Sequence, residues 1–268
     1  MDNNCSPFND KTRIERYTEA NKTFPNARFN ELNAIESLLP TDVISSVLEI
    51  GSGTGFLTKS LLAKGLTVDT IDPHGSWITG VRKHYQTDIK NGFPFIPNGE
   101  KYDLIVSLAS FHHIIETSDH FQTQLIDDIC RITDSNSYLL IVDVPNEKDN
   151  ITSNCVLTDN AASYTSEFFN EIVDCYSTPF HNGVYLRTDP LVDQFKEYGW
   201  DSLLRKNIYC PWSFCSIEDL HSFISLLFNI PKIHEIPAYK KIINKMVVSY
   251  HDIIEFQWGL SSILLRRS

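Results

Sequence analysis

Three features of the sequence predict a doubly wound α/β fold with a mostly parallel sheet. Apolar runs of strand length alternate with helical stretches of about ten residues, which implies parallel strands joined by right-handed crossovers. The runs are continuous rather than alternating, as in "SYLLIVDV" (137–144), and so fit strands covered on both faces. A glycine-rich turn, "GSGTG" (51–55), separates the first such run from the helical stretch that follows it.

The elements follow in order. Leu32, Ile35, Leu38 and Leu39 recur at helical spacing and Pro40 stops the run, so residues 1–44 read as an N-terminal helical cap. "SSVLEI" (45–50) is the first strand, and residues 56–64 form a helix that Gly65 ends. "LTVDTID" (66–72) is the second strand, with a helix expected over 75–85 and a weak third strand before Asp88. "YDLIVSLAS" (102–110) is a strand. Phe121, Leu125, Ile129 and Ile132 mark one helix face, and 137–144 is the next strand, which completes a core over 45–146. Residues 146–165 are polar and read as a loop. Helices are expected near 166–177 and 189–198, with a strand at 200–210. Ser216, followed by Glu218 and Asp219, begins a helix over 216–228, and another lies near 237–248. "IIEFQWGLSSILLRR" (253–267) reads as one strand, so 251–268 closes the core. The intervening 147–250 is a helical insertion, either a lid over a small substrate or a homodimer interface.

Composition narrows the class. The chain has 268 residues, 42% of them hydrophobic, enough for a full core. Its 23 basic and 34 acidic side chains give a formal net charge of −11, which argues against nucleic acid and against an anionic membrane as partners. The N-terminus "MDNNCSPFNDKTR" has no apolar secretory run, no segment is apolar over the roughly 18 residues a membrane span needs, and the six cysteines form no C-x-x-C pair. A cytoplasmic protein with reduced thiols is expected.

The glycine turn narrows the ligand. A dinucleotide fingerprint places a third glycine where Phe56 stands, and "GFLTKS" lacks the Lys-Ser/Thr pair of a phosphate loop in its place. A pyrophosphate is therefore disfavoured. Asp72, at the end of the second strand, is placed either to accept both ribose hydroxyls or to cap a helix beginning at "DPHGS". Asp88 is placed to accept from an adenine amino group, or is a solvated loop acid.

Four segments in order, "VLEIGSGTG", "TVDTIDP", "TDIKNGFPF" and "YDLIVSLASFHHI", make residues 30–146 resemble the class I S-adenosylmethionine-dependent methyltransferases, with an echo in "FKEYGWDSLL" (195–204). The resemblance implies a Rossmann-like seven-stranded sheet whose last strand is antiparallel, and one S-adenosylmethionine across the strand C-termini. It implies that Glu49, Gly51, Ser52 and Gly53 line the methionine side and that Asp72 holds the ribose. By the same likeness Asp88 and the Ile89 backbone hold the adenine, and the Leu108 backbone lies near its amino group.

The acceptor is less legible. "SLAS" stands where nucleic-acid amino-methylases carry an Asn/Asp-Pro-Pro-aromatic tetrad. Asp143 and Asn146 have no carboxylate partner after the fourth strand, so no metal site is expected. His112 and His113 are candidates for a general base or for helix-start packing. Tyr176 is a further catalytic candidate, and Tyr17 and Arg28 are candidates over the cofactor, with Arg28 paired to its carboxylate. Methyl transfer to a small molecule is the leading expectation. The alternatives are cyclisation of the cofactor's own aminobutyryl chain, releasing methylthioadenosine, and a non-catalytic nucleotide-binding scaffold.

Overall fold

A computed structural model describes residues 10–268 apart from 75–77, 90–91, 98, 116–118, 147, 150, 152, 154, 182–184 and 186. In chain order the elements open with α1 (Lys11–Thr23), α2 (Phe29–Glu36), β1 (Ser46–Ile50), α3 (Phe56–Ala63), β2 (Thr67–Asp72) and β3 (Lys83–Gln86). They continue with β4 (Leu104–Leu108), α4 (Phe111–Ile114), α5 (Asp119–Arg131), β5 (Tyr138–Asp143), α6 (Val156–Phe168), α7 (Asp174–Tyr176) and α8 (Thr188–Glu197). The last are β6 (Trp200–Tyr209), β7 (Trp212–Phe214), α9 (Ile217–Leu227), α10 (Pro237–Met246), β8 (Val247–Tyr250), β9 (Ile253–Phe256) and β10 (Gly259–Arg267). No helix among the described residues is long and apolar enough to cross a membrane.

The chain divides into two compact units. The first comprises residues 1–36, 152–183 and 207–260. Its sheet is three-stranded and antiparallel, in the order β7-β9-β8. Aromatic rings fill its core: Trp212 and Trp258 stack at 4.1 Å, and Phe168 meets Phe256 at 5.7 Å and Trp258 at 5.9 Å. Ser216 caps α9 by accepting from the Asp219 N–H, as its position before an acidic first turn predicts.

The second unit comprises residues 37–151, 184–206 and 261–268. It holds the large sheet, in the order β3-β2-β1-β4-β5-β10-β6. β1 pairs in parallel with β2 and β4, and β4 with β5, while β10 runs antiparallel to β5. Residues 47, 48 and 50 of β1 and all of β4 are buried, as covered parallel strands require. This is the seven-stranded, Rossmann-like arrangement with an antiparallel closing strand that the sequence predicts.

Three local expectations change. The helix expected over 75–85 is absent from its described part, where Lys83–Gln86 is a strand paired with β2. Asp69 binds Arg82 at 2.9 Å, and this ion pair holds the short β3 in register. The loop expected over 146–165 is helical from Val156, because Ala161, Ala162, Thr165 and Phe168 present a buried face that polar composition concealed. The single strand expected over 253–267 is two, in different sheets. A Cβ on Gly259 would stand 2.5 Å from the Ala162 nitrogen, and the Gly259 N–H donates to Thr165 Oγ1 at 3.0 Å, so the chain is turned there against α6.

Candidate functional site

The site is built at the C-terminal ends of β1, β2, β4 and β5. β1 delivers the chain into the glycine loop, and each glycine there has positive φ. They are needed for different reasons. A Cβ on Gly51 would lie 2.1 Å from Ser110 Oγ, and one on Gly55 2.8 Å from Ile78, so both permit close packing within the protein. A Cβ on Gly53 would meet nothing within 4 Å among the described residues. Ser52 is buried, and its hydroxyl has no hydrogen-bond partner among the described residues.

Asp72 fixes the loop. One carboxylate oxygen accepts from the Gly53 N–H at 2.8 Å and the other from the His74 N–H at 2.9 Å. No helix is capped by the described residues after it. Each oxygen retains a further lone pair. Burial lowers the basicity of the nearby His74 imidazole, and the charge of Asp72 opposes that shift.

Glu49 is buried at the base of the loop. Its carboxylate accepts from Thr58 Oγ1 on α3 at 2.5 Å, which ties the strand before the loop to the helix after it. Burial pushes the Glu49 carboxyl up to about 8; the Thr58 hydrogen bond opposes this and Asp72 reinforces it.

β4 and β5 contribute a second cluster. Ser110 Oγ donates to the carbonyls of Leu108 at 3.0 Å and Gly51 at 3.2 Å, which joins the turn after β4 to the glycine loop. His112 is buried, with Nδ1 2.5 Å from Asp143 Oδ1 and its N–H donating to Asp143 Oδ2 at 3.0 Å. The half-buried His113 ring lies 3.9 Å from that of His112, and the Tyr185 ring 6.0 Å from it.

A profile described as a methyltransferase domain matches residues 14–224. The chain belongs to this methyltransferase-domain family. It is 34% identical over 127 residues, 46% of this chain, to an uncharacterized methyltransferase of Staphylococcus carnosus (strain TM300). The matched part spans 57% of that relative's length. Among solved structures it resembles a chain from a Haloferax volcanii complex containing the Trm112 methyltransferase activator (TM-score 0.55, 13% identity, 96% of this chain and 98% of that one). It also resembles YcgJ from Bacillus subtilis (TM-score 0.52, 17% identity, 88% and 99%). At these identities the structures establish the fold.

Within this methyltransferase-domain chain, Glu49, Gly51, Ser52, Gly53, Asp72, Leu108, His112 and His113 all lie in the second unit. Asp88 is half-buried just beyond β3, and the Ile89 side chain belongs to the apolar core. Tyr17, Arg28 and Tyr176 belong to the first unit. There Arg28 donates from Nε to Glu31 Oε2 at 2.9 Å and from Nη1 to Tyr17 Oη at 3.1 Å. Its carboxylate partner in the structure is therefore a neighbour on α2. Tyr176 is 43% exposed on the short α7.

Sequence reading missed Thr58 and Ser110, whose hydroxyls act across loops and carry no motif signal. It weighed Asp143 only as a metal ligand. The signal that could have found its histidine partner was the position of Asp143 at the end of β5, beside the end of β4.

Proposed function

We propose that the protein is an S-adenosylmethionine-dependent methyltransferase acting on a small molecule. The observation that carries this reading is the glycine loop: among the described residues a Cβ on Gly53 would meet nothing within 4 Å and the buried Ser52 hydroxyl has no partner, and Asp72 holds both the loop and its own turn. These residues fit the cofactor that the methyltransferase fold implies. Glu49, Gly51, Ser52 and Gly53 would line its methionine end, Asp72 its ribose, Asp88 and the Ile89 backbone its adenine, with the Leu108 backbone beside them.

When bound, this cofactor supplies a methyl group already activated on sulfur. What remains for the protein is alignment, exclusion of water and, for an O–H or N–H acceptor, removal of a proton. Asp143 holds the Nδ1 side of His112, so in the neutral ring Nε2 is the nitrogen that accepts a proton. His113 packs on that ring and limits its rotation. The net charge of −11 supports an acceptor other than a phosphate backbone.

Calorimetry tests the reading. S-adenosylmethionine and S-adenosylhomocysteine are expected to bind saturably and NAD is not. Binding of NAD with neither sulfur nucleoside bound would overturn it.

A further inference from the structure

β3 is a four-residue strand at the edge of the large sheet. It and the residue after it grip the turn that carries Asp72 at three consecutive carbonyls. The Thr87 N–H donates to Asp72 O at 3.1 Å, Gln86 Nε2 to Pro73 O at 3.4 Å and His84 Nε2 to His74 O at 2.6 Å. The Gln86 contact is long for a hydrogen bond, so His84 supplies the main side-chain hold on the turn.

The other nitrogen of that ring is also engaged. The register of β2 and β3 pairs Thr70 with His84, and the hydroxyl of the buried Thr70 lies 2.8 Å from His84 Nδ1. A carbonyl only accepts, so Nε2 carries a proton in the neutral ring and in the cation alike. Nδ1 accepts from the Thr70 hydroxyl in the first state and donates to it in the second. The two bonds fix the plane of the imidazole and aim Nε2–H at the turn.

From the turn the contacts continue to the glycine loop. The His74 N–H donates to Asp72 Oδ1 at 2.9 Å, and Asp72 Oδ2 accepts from the Gly53 N–H at 2.8 Å. His84 thus holds the carbonyl of the residue whose N–H holds the acid. We infer that His84 is a positioning residue for Asp72: its ring, locked by Thr70, pins the 72–74 turn so that both carboxylate oxygens stay presented at the glycine loop. The inference rests on the reading of Asp72 as the acid that holds the ribose of a sulfur nucleoside. A pair of neighbouring hydroxyls needs both oxygens at once, and a carboxylate free to turn would have to be ordered at the moment of binding.

A double-mutant cycle read by titration calorimetry of the full chain with S-adenosylhomocysteine tests this. His84→Phe keeps a ring and removes both nitrogens, and should weaken binding about tenfold, the net worth of a strong neutral hydrogen bond. His84→Gln carries an amide nitrogen near the place of Nε2 and should recover most of the loss. In an Asp72→Asn background His84→Phe should cost about twofold at most, because the residue through which it acts is already altered. Thr70→Val releases Nδ1 and should show the same pattern with a smaller loss, which keeps the cycle decisive where His84→Phe fails to fold. Equal losses from His84→Phe, or from Thr70→Val in its place, in the two backgrounds would mean a general structural role and overturn the inference. Wild-type affinity in the single variant overturns it too and leaves the functional reading standing. Absence of binding by the wild type overturns the functional reading, and this inference with it.

Discussion

Two buried glutamates, one in each unit, meet the same physical demand in opposite ways. Glu31 is 1% exposed and accepts from Arg28 Nε at 2.9 Å, from Arg28 Nη2, and from Trp212 Nε1 at 2.6 Å. Burial opposes the Arg28 charge, and Glu31 with Tyr17 outweighs that cost and holds the guanidinium above its ordinary range. Glu49 is 2% exposed and has Thr58. The first carboxylate is compensated by its own unit and serves to fix α2 against β7. The second accepts from one hydroxyl among the described residues, at the base of the glycine loop.

The largest effect that can sharpen this contrast is on stability. Glu31→Ala leaves Arg28 buried without its carboxylate and should cost roughly 3–5 kcal/mol in urea unfolding. A loss below about 1 kcal/mol would show that Arg28 is compensated elsewhere and would dissolve the comparison. Asp72→Asn should weaken S-adenosylhomocysteine binding by about 1–3 kcal/mol with the fold retained, because one backbone N–H of the loop or turn loses its acceptor. Unchanged affinity would confine Asp72 to supporting its own turn. Gly53→Ala should cost about 1 kcal/mol of stability through its positive φ, since its Cβ would meet nothing within 4 Å among the described residues. A greater fractional loss in ligand affinity than in stability would mark that space as the ligand's.

Glu49→Gln is read by its pH dependence, and the sign of that dependence is the informative part. The Glu49 carboxyl is raised in the folded state, from 4.5 to about 8, so its stability contribution is fully present below the lower value and is lost as pH rises through the upper one. Relative to wild type the variant should therefore gain stability as pH rises from 6 to 8, by about 2 kcal/mol, in denaturant titrations at each pH. Parallel curves for the two proteins would mean that Glu49 is compensated as Glu31 is.

The fold was legible because its signals are local. Continuous runs at 47–50, 104–108 and 139–142 report burial on both faces, and glycines at 51, 53 and 55 report a turn that other residues resist. The place of the acid at position 72, at the end of the second strand, was legible for the same reason. β3 was read in part as helix because its register depends on Asp69 and Arg82 meeting across strands. The split of 253–267 was hidden because the reason for it, contact of Gly259 with the α6 backbone, lies far away in sequence.

The sequence by itself determined the class of architecture, the position of the glycine loop and the acid that faces it. These follow from hydrophobic period and backbone freedom, which each segment carries alone. Tertiary structure alone decided what the charged and hydroxyl groups do. It gave Arg28 to Glu31, gave Asp143 to His112, placed Ser110 against Gly51, and gave Glu49 the Thr58 hydroxyl. The role of a polar side chain is set by which partners reach it and how much water is excluded, and both are properties of residues brought together from distant parts of the chain.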